Sequence, residues 1–317
     1  YDREFYIPKK RNKRKFDLSN LTLEKMIYNL LNNLNHLEKS WVYSQYDSTV
    51  MGDTVKEPGQ ATGIVKLHDS QKVIGASTDC NPLYIRINPE LGMIYTVAEA
   101  YRNLIASNIK PMAITNNLNF ASPLDPNIMG EIVLSVNGLK ISASQLDTPI
   151  VSGNVSLYNQ TNDAPINPTP VIGMVGSNPN INKIVSNKFQ SEGDIIISIG
   201  ENIDPHKSPY FLQDQKIVED INLYNELENI NLEDEKITAK ILMEISDNNL
   251  LQSCNDISRG GIFMTLMKMI QKNYGFNIKA SNDFELFCEY KSGYVTTIKE
   301  NNLKKVFALL DENKINY

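Results

Sequence analysis

Apolar residues recur at three- and four-residue steps from Leu23 through Met26, Ile27, Leu30 and Leu31 to Leu34, which predicts a helix behind a cap at Asn20 or Thr22. Asn32, Asn33 and His36 fall on its polar side, and His36 reads as a surface residue rather than a catalyst. Residues 1–17, ahead of that helix, are polar and basic with no period and read as an arm or linker. From about residue 40 the pattern changes. Ile64–Leu67 and Val73–Ala76 bracket His68-Asp69-Ser70 and predict a hairpin. A strand is expected at Leu83-Tyr84-Ile85, then a long helix after Asn88-Pro89 with Ile94, Val97, Ala98, Tyr101, Leu104 and Ile105 on one face. A short strand, Met112–Ile114, enters the polar segment Thr115–Phe120, and a helix follows with Met129, Ile132, Val133, Val136 and Leu139 on its apolar side. A buried strand at Pro149–Val151 leads into the loop Ser152–Ser156, and Val171–Gly176 closes the unit.

Residues 177–183 are rich in Asn, Pro and Ser, and a domain break is expected between about 176 and 185. Beyond it the pattern predicts a strand at Ile195–Gly200, helices near 216–228 and 234–249, and a loop at 254–261. A helix at about 261–272, strands near 276–279 and 293–298, and a last helix at about 301–313 complete it. Strands alternating with helices of ordinary length mean an α/β or α+β chain in two units: an arm and helix over 1–40, then 41–180, then 181–317.

Composition narrows the class. The 317 residues are 41% hydrophobic and 21% charged, as in soluble globular proteins, with a formal net charge of −6. A mildly acidic surface argues against broad contact with nucleic acid. The basic run Lys9–Lys15 reads as a solvated tail in preference to a nucleic-acid patch or localisation signal. Cys80, Cys254 and Cys288 are odd in number and far apart, which fits a reduced, cytoplasmic protein without a thiolate zinc site. No apolar stretch reaches the roughly 18 residues of a membrane span, and no membrane partner is expected. The chain opens on Tyr1 and stops at Tyr317 within a helical pattern, the expectation for a piece of a longer protein.

Four stretches carry candidate chemistry. Ser152-Gly153-Asn154-Val155-Ser156 follows an apolar strand: a glycine admits a ligand to the backbone, an Asn carbonyl suits a hard cation such as Mg²⁺, and a serine offers a hydroxyl. Thr115–Phe120 has the same build, and Asp79 in Ser77–Pro82 could hold a metal or cap a turn. Asn255–Gly261 before a helix could bind an anion at the positive end of the helix dipole. Each stretch, taken alone, is equally readable as a turn or cap solving its own hydrogen bonds. P-loop, dinucleotide-binding and hydrolase motifs are missing, and His68 and His206 have no carboxylate or thiol partner in sequence.

Taken in order, Trp41–Asp47, Gly52–Val55, Ser77–Pro82, Ala98–Leu104, Leu118–Phe120, Val151–Asn159 and Pro168–Gly176 resemble the second half of the synthetase component of phosphoribosylformylglycinamidine synthase. The opening Tyr1–Tyr6 is similar to the end of that family's preceding domain, and the match is strongest over 41–176 and looser over 185–300. The resemblance implies two domains of the aminoimidazole-ribonucleotide-synthase-like superfamily: a sheet domain that forms a barrel with a homologous domain, then an α/β companion. It implies an ATP- and Mg²⁺-dependent ligase of purine biosynthesis, converting formylglycinamide ribonucleotide to the amidine with glutamine as donor. The expected partners are the first half of the synthetase, a glutaminase subunit and a small bridging subunit, with a homodimer when the first half is missing. Gly153 falls on an ATP-contacting glycine, Asn154 on a Mg²⁺ ligand and Ser156 on a substrate contact. Asn116 stands where the family usually has an ATP-contacting Asp. Further departures are Ala121-Ser122 for Gly-Asn, Arg259 for an acidic residue and Lys291-Ser292-Gly293 for Gln-Ser-Arg. The family's catalytic histidine lies in its first half, so this chain is expected to be inactive alone. A non-catalytic or decayed nucleotide-binding module is the competing reading; a selenophosphate- or aminoimidazole-ribonucleotide-synthase relative is disfavoured by Trp41–Asp47 and Ser152–Asn159.

Overall fold

The computed structural model describes residues 3–9, 11, 13–162, 164–271, 274–280 and 282–317, so Tyr1 and Asp2 of the opening segment and Lys10 and Asn12 of the basic run lie outside the described residues. Helix α1 (Leu23–Leu31) starts at Thr22, whose hydroxyl accepts from Lys25 N at 3.3 Å, and α2 (Ser40–Tyr43) is a single turn. Strands β1 (Thr54–Lys56), β2 (Gly63–Lys66) and β3 (Val73–Asp79) form an antiparallel meander containing the expected hairpin. Helices α3 (Pro82–Ile87) and α4 (Pro89–Ala106), strand β4 (Lys110–Asn119), helix α5 (Pro126–Gln145) and strand β5 (Ile150–Ser156) follow. The two-residue strands β6 (Gln160–Thr161) and β7 (Ala164–Pro165) pair with each other, and β8 (Val171–Asn178) ends the unit. The main sheet runs β1-β2-β3-β8-β4-β5, antiparallel except for the β4–β5 pair, which α5 connects.

Period-two burial shows which face of this sheet is covered. Val73, Gly75 and Ser77 of β3 and Ile172 and Met174 of β8 point to the helices, while Ala76, Thr78 and Val175 face away. Helix α4 touches β3, β8 and α5 on one side and α7 (Leu232–Asp247) and β10 (Leu251–Asp256) on the other. Its residues are therefore buried nearly all round. It meets α5 through small residues: a Cβ on Gly138 would lie 2.3 Å from the Glu90 carbonyl.

The second unit has the antiparallel sheet β10-β11-β9, with β9 at Ile195–Asn202 and β11 at Tyr290–Ile298, and helices α6 (Pro209–Asp214), α7, α8 (Gly261–Met269) and α9 (Leu303–Glu312). One apolar core runs without a break from Ile64 and Val73 through α4 to Val306 and Leu310, so the two sheets share no strand but do share a core.

Several expectations change. Leu83-Tyr84-Ile85 is helix, because Pro82 supplies a ready φ at the first helical position and the run packs on α4 and α6. The helix expected at 216–228 is only the short turn Ile221–Leu223, with α6 formed upstream instead. Cys254–Asp256 belongs to a strand, residues 276–279 do not, and Val136 is exposed because Ser135, Gly138 and Ser142 take the inner face of α5. The arm is no solvated tail. Tyr6 N donates to Pro126 O at 3.0 Å, Arg14 N to Asn225 Oδ1 at 2.6 Å, and Phe16 stacks on His206.

Candidate functional site

The residues expected on strand-end loops lie within strands. β4 runs through Thr115–Asn119 and β5 through Ser152–Ser156, because their parallel pairing continues to the end of both segments. β5 is the edge strand, and its entry is not buried: Ile150 is 43% and Val151 69% exposed. Asn116 pairs with Gly153, Asn117 with Asn154 and Asn119 with Ser156. Alternation then divides the four predicted residues between faces. Asn116 sits opposite the buried Ile172 on the helix-covered face, and its amide lies over Gly153, where a Cβ would come within 2.6 Å of Asn116 Oδ1. Asn154 and Ser156 point to the open face. There Asn154 Nδ2 donates to Asn117 Oδ1 at 2.9 Å and to Ser156 Oγ at 3.1 Å, and Ser152 Oγ donates to Thr115 Oγ1 at 2.8 Å. The patch is a ladder of neutral oxygens and amides, and among the described residues Asn154 Oδ1 takes no partner. It supplies carbonyl and hydroxyl ligands suited to a hard cation whose other ligands are water and phosphate oxygens. Among the described residues no three His, Cys, Asp or Glu side chains are grouped to hold a metal by themselves.

The scattered sequence motifs do not mark a second place, which the fold brings together. A cavity of about 870 Å³ opens at the seam of the two units, lined by Cys80, Asn81, Glu99 and Arg102 from one and Tyr210 and Arg259 from the other. Asp79, Glu99 and Asp256 converge beside it. Asn103 Nδ2 donates to Asp79 Oδ2 at 3.0 Å and Asn81 Nδ2 to Glu99 Oε2 at 2.9 Å. Burial pushes Glu99 up to about 7, with the Asp256 charge adding to it and Arg102 opposing. Burial, then Glu99 and Asp256, raise Asp79 as well, and burial raises Asp256. Arg102 is buried and donates to Glu235 Oε2 at 2.9 Å, while its Nε has no partner among the described residues. The available signal was Glu99 and Arg102 within the otherwise apolar run of α4.

His36 is not a surface residue. Its side chain is 6% exposed, and its Nε2 lies 2.7 Å from the buried Asp214. Arg259 Nε donates to both Asp214 oxygens at 3.2 Å, and its guanidinium lies 4.4 Å over the Tyr210 ring. Burial alone would raise Asp214, but hydrogen bonds from His36 and Arg259 outweigh it and hold that carboxyl below its ordinary range. Within the Asn255–Gly261 stretch, the Arg259 side chain is thus bound to an acid.

Residues 59–177 match the AIR synthase related protein N-terminal domain and residues 191–316 its C-terminal domain. Across its whole length the chain is 36% identical to a phosphoribosylformylglycinamidine synthase subunit PurL of Pelagibacter ubique and spans 44% of that relative. Among solved structures it is similar to PurLQS from Thermotoga maritima (TM-score 0.65, 20% identity, 94% of this chain and 42% of that one). T. maritima PurL complexed with ATP is similar at a TM-score of 0.62 and 20% identity, over 95% of this chain and 42% of that one. The open six-stranded sheet backed by α4 and α5, followed by the three-stranded sheet with its helices, is thus the paired arrangement of those two domains, and the chain belongs to the AIR synthase related family.

Proposed function

We propose that the chain is the C-terminal part of an ATP-dependent ligase that converts formylglycinamide ribonucleotide to its amidine in purine biosynthesis, with glutamine as the nitrogen source. The observation that carries this reading is the 36% identity to PurL along the entire chain, joined to a sheet that leaves its polar β4–β5 patch uncovered. In this reading ATP phosphorylates the amide oxygen, ammonia displaces the phosphate, and charge neutralisation by Mg²⁺ supplies much of the rate. Gly153 admits phosphate oxygens to the backbone, Asn116 contacts the nucleotide, Asn154 Oδ1 holds Mg²⁺, and Ser156 orients the substrate. The opposed faces of Asn116 and Asn154 make the edge of β5 the line along which nucleotide and metal would meet.

The open face is where the first half of the synthetase would dock. Val65, Met112 and Val175 are 46%, 55% and 41% exposed on it, and Trp41, Tyr46 and Met51, in the segment that leads into β1, are 70%, 73% and 80% exposed. Such patches are uncommon on soluble monomers. Without the first half, a second copy of this chain covers the face as a homodimer. In this reading the domain junction falls between about 176 and 185, the glutaminase and bridging subunits complete a cytoplasmic assembly, and the chain alone is inactive. The engagement of Arg259 by Asp214 favours one competing reading, a nucleotide-binding module that has lost catalysis.

Calorimetric titration of the chain with ATP and Mg²⁺ tests the site. Weak or undetectable binding is expected for the chain alone. Tight binding that persists in Asn154→Ala would put the nucleotide elsewhere.

A further inference from the structure

The arm makes its strongest contacts at one residue. Arg11 Nη2 donates to Arg86 O at 3.1 Å and Nε to Ile87 O at 3.2 Å, Nη1 donates to Ile221 O, and the backbone N donates to Glu226 Oε1 at 2.5 Å. Arg86 and Ile87 are the last residues of α3, whose terminal carbonyls have no helical partner and favour a cation. Ile221 and Glu226 belong to the second unit. Arg86 and Ile221 also line the seam cavity, one on each wall. A single guanidinium therefore joins the two walls through backbone carbonyls. Neighbouring contacts hold it in place: Asn225 exchanges two hydrogen bonds with the backbone of Arg14, and Phe16 N donates to His206 Nδ1 at 3.1 Å.

We propose that Arg11 is a clasp across the seam cavity, so that the N-terminal arm sets how far α3 and the 219–226 segment can part and hence how readily the cavity opens. An arginine suits this role because its planar fork offers Nε, Nη1 and Nη2 to three separate carbonyls, whereas the three donors of a lysine ammonium radiate from a single nitrogen. Nothing in the predicted nucleotide patch takes part. The cavity walls are otherwise joined by side chains, among them Tyr84 OH donating to Glu289 Oε1 at 3.0 Å, so loss of Arg11 loosens the seam without dissolving the core.

Cys80 reports on it. It lines the cavity and is partly exposed, whereas Cys254 and Cys288 are 1% and 0% exposed. Modification of the full chain by an aromatic disulfide, with each site quantified by peptide mass spectrometry, gives the three rates separately. Arg11→Ala is expected to raise the Cys80 rate about tenfold, Arg11→Lys less, and Glu226→Gln about threefold, with Cys254 and Cys288 still protected. If Arg11→Ala fails to fold, Arg11→Lys and Glu226→Gln carry the same test. An unchanged Cys80 rate in the folded variants, or acceleration of all three cysteines together, would overturn the clasp.

Discussion

Raising the pH should destabilise this protein across the range where most proteins are steady, and Glu99 is the reason. Its carboxyl titrates at about 7 in the folded chain against an ordinary value of 4.5. Between those values the folded state holds a proton that the unfolded state has released, so stability falls as pH rises through the window. At 1.36 kcal/mol per unit, a shift of this size corresponds to about 3 kcal/mol, fully lost once Glu99 is ionised. Asp79 and Asp256 are raised too and act in the same direction. Asp214 and Glu228 are lowered, so their stabilisation is lost only as pH falls below the ordinary carboxylate range, outside this window. Urea unfolding at about pH 5 and about pH 7.5 should show the higher midpoint in acid. Glu99→Gln keeps an acceptor for Asn81, removes the charge, and should flatten the profile. A midpoint that is level or rises with pH, or a slope undiminished in Glu99→Gln, would show that Glu99 does not drive the pH dependence.

Lys56 should impose the opposite slope at higher pH. Burial lowers its ammonium to about 7, with Nζ donating to Ser107 Oγ at 3.0 Å and to Asn187 Oδ1, so stability should rise from about pH 7 towards its ordinary 10.5 and Lys56→Met should abolish that limb. Arg259→Ala leaves the buried Asp214 with only His36 and Asn33, and thermal or urea unfolding should register a loss of about 3 kcal/mol. In an enzyme reassembled with the first half, Asn116→Asp should tighten ATP binding measured by calorimetry; unchanged affinity would remove Asn116 from the nucleotide site.

The long elements were legible because their period ran for many residues: α4, α5, α7 and the β2–β3 hairpin stand where the pattern put them. Short apolar runs were not. Leu83-Tyr84-Ile85 fits a strand or a helix equally, and only Pro82 with packing against α4 and α6 decides it. β10 shows no alternation because both its faces are buried, so it read as a loop. The arm looked solvated because Arg11, Arg14 and Phe16 find partners some 190 to 215 positions away, which no local pattern records. For the site, the residue types were readable and the geometry was not. Extending β4 and β5 by a few residues moved Asn116 and Gly153 to one face and Asn154 and Ser156 to the other. The gathering of Asp79, Glu99 and Asp256 depends on α4 lying between the two sheets, a tertiary fact.

If this chain forms one wall of an amidine synthetase, as proposed, turnover needs the other wall. ADP release in the presence of formylglycinamide ribonucleotide, ATP, Mg²⁺ and excess ammonium, with and without a separately produced first half of a related PurL, tests it most directly. No turnover above background is expected from the chain alone, turnover when the first half is added, and its loss in Asn154→Ala. Turnover by the chain alone, or none at saturating first half, would contradict it.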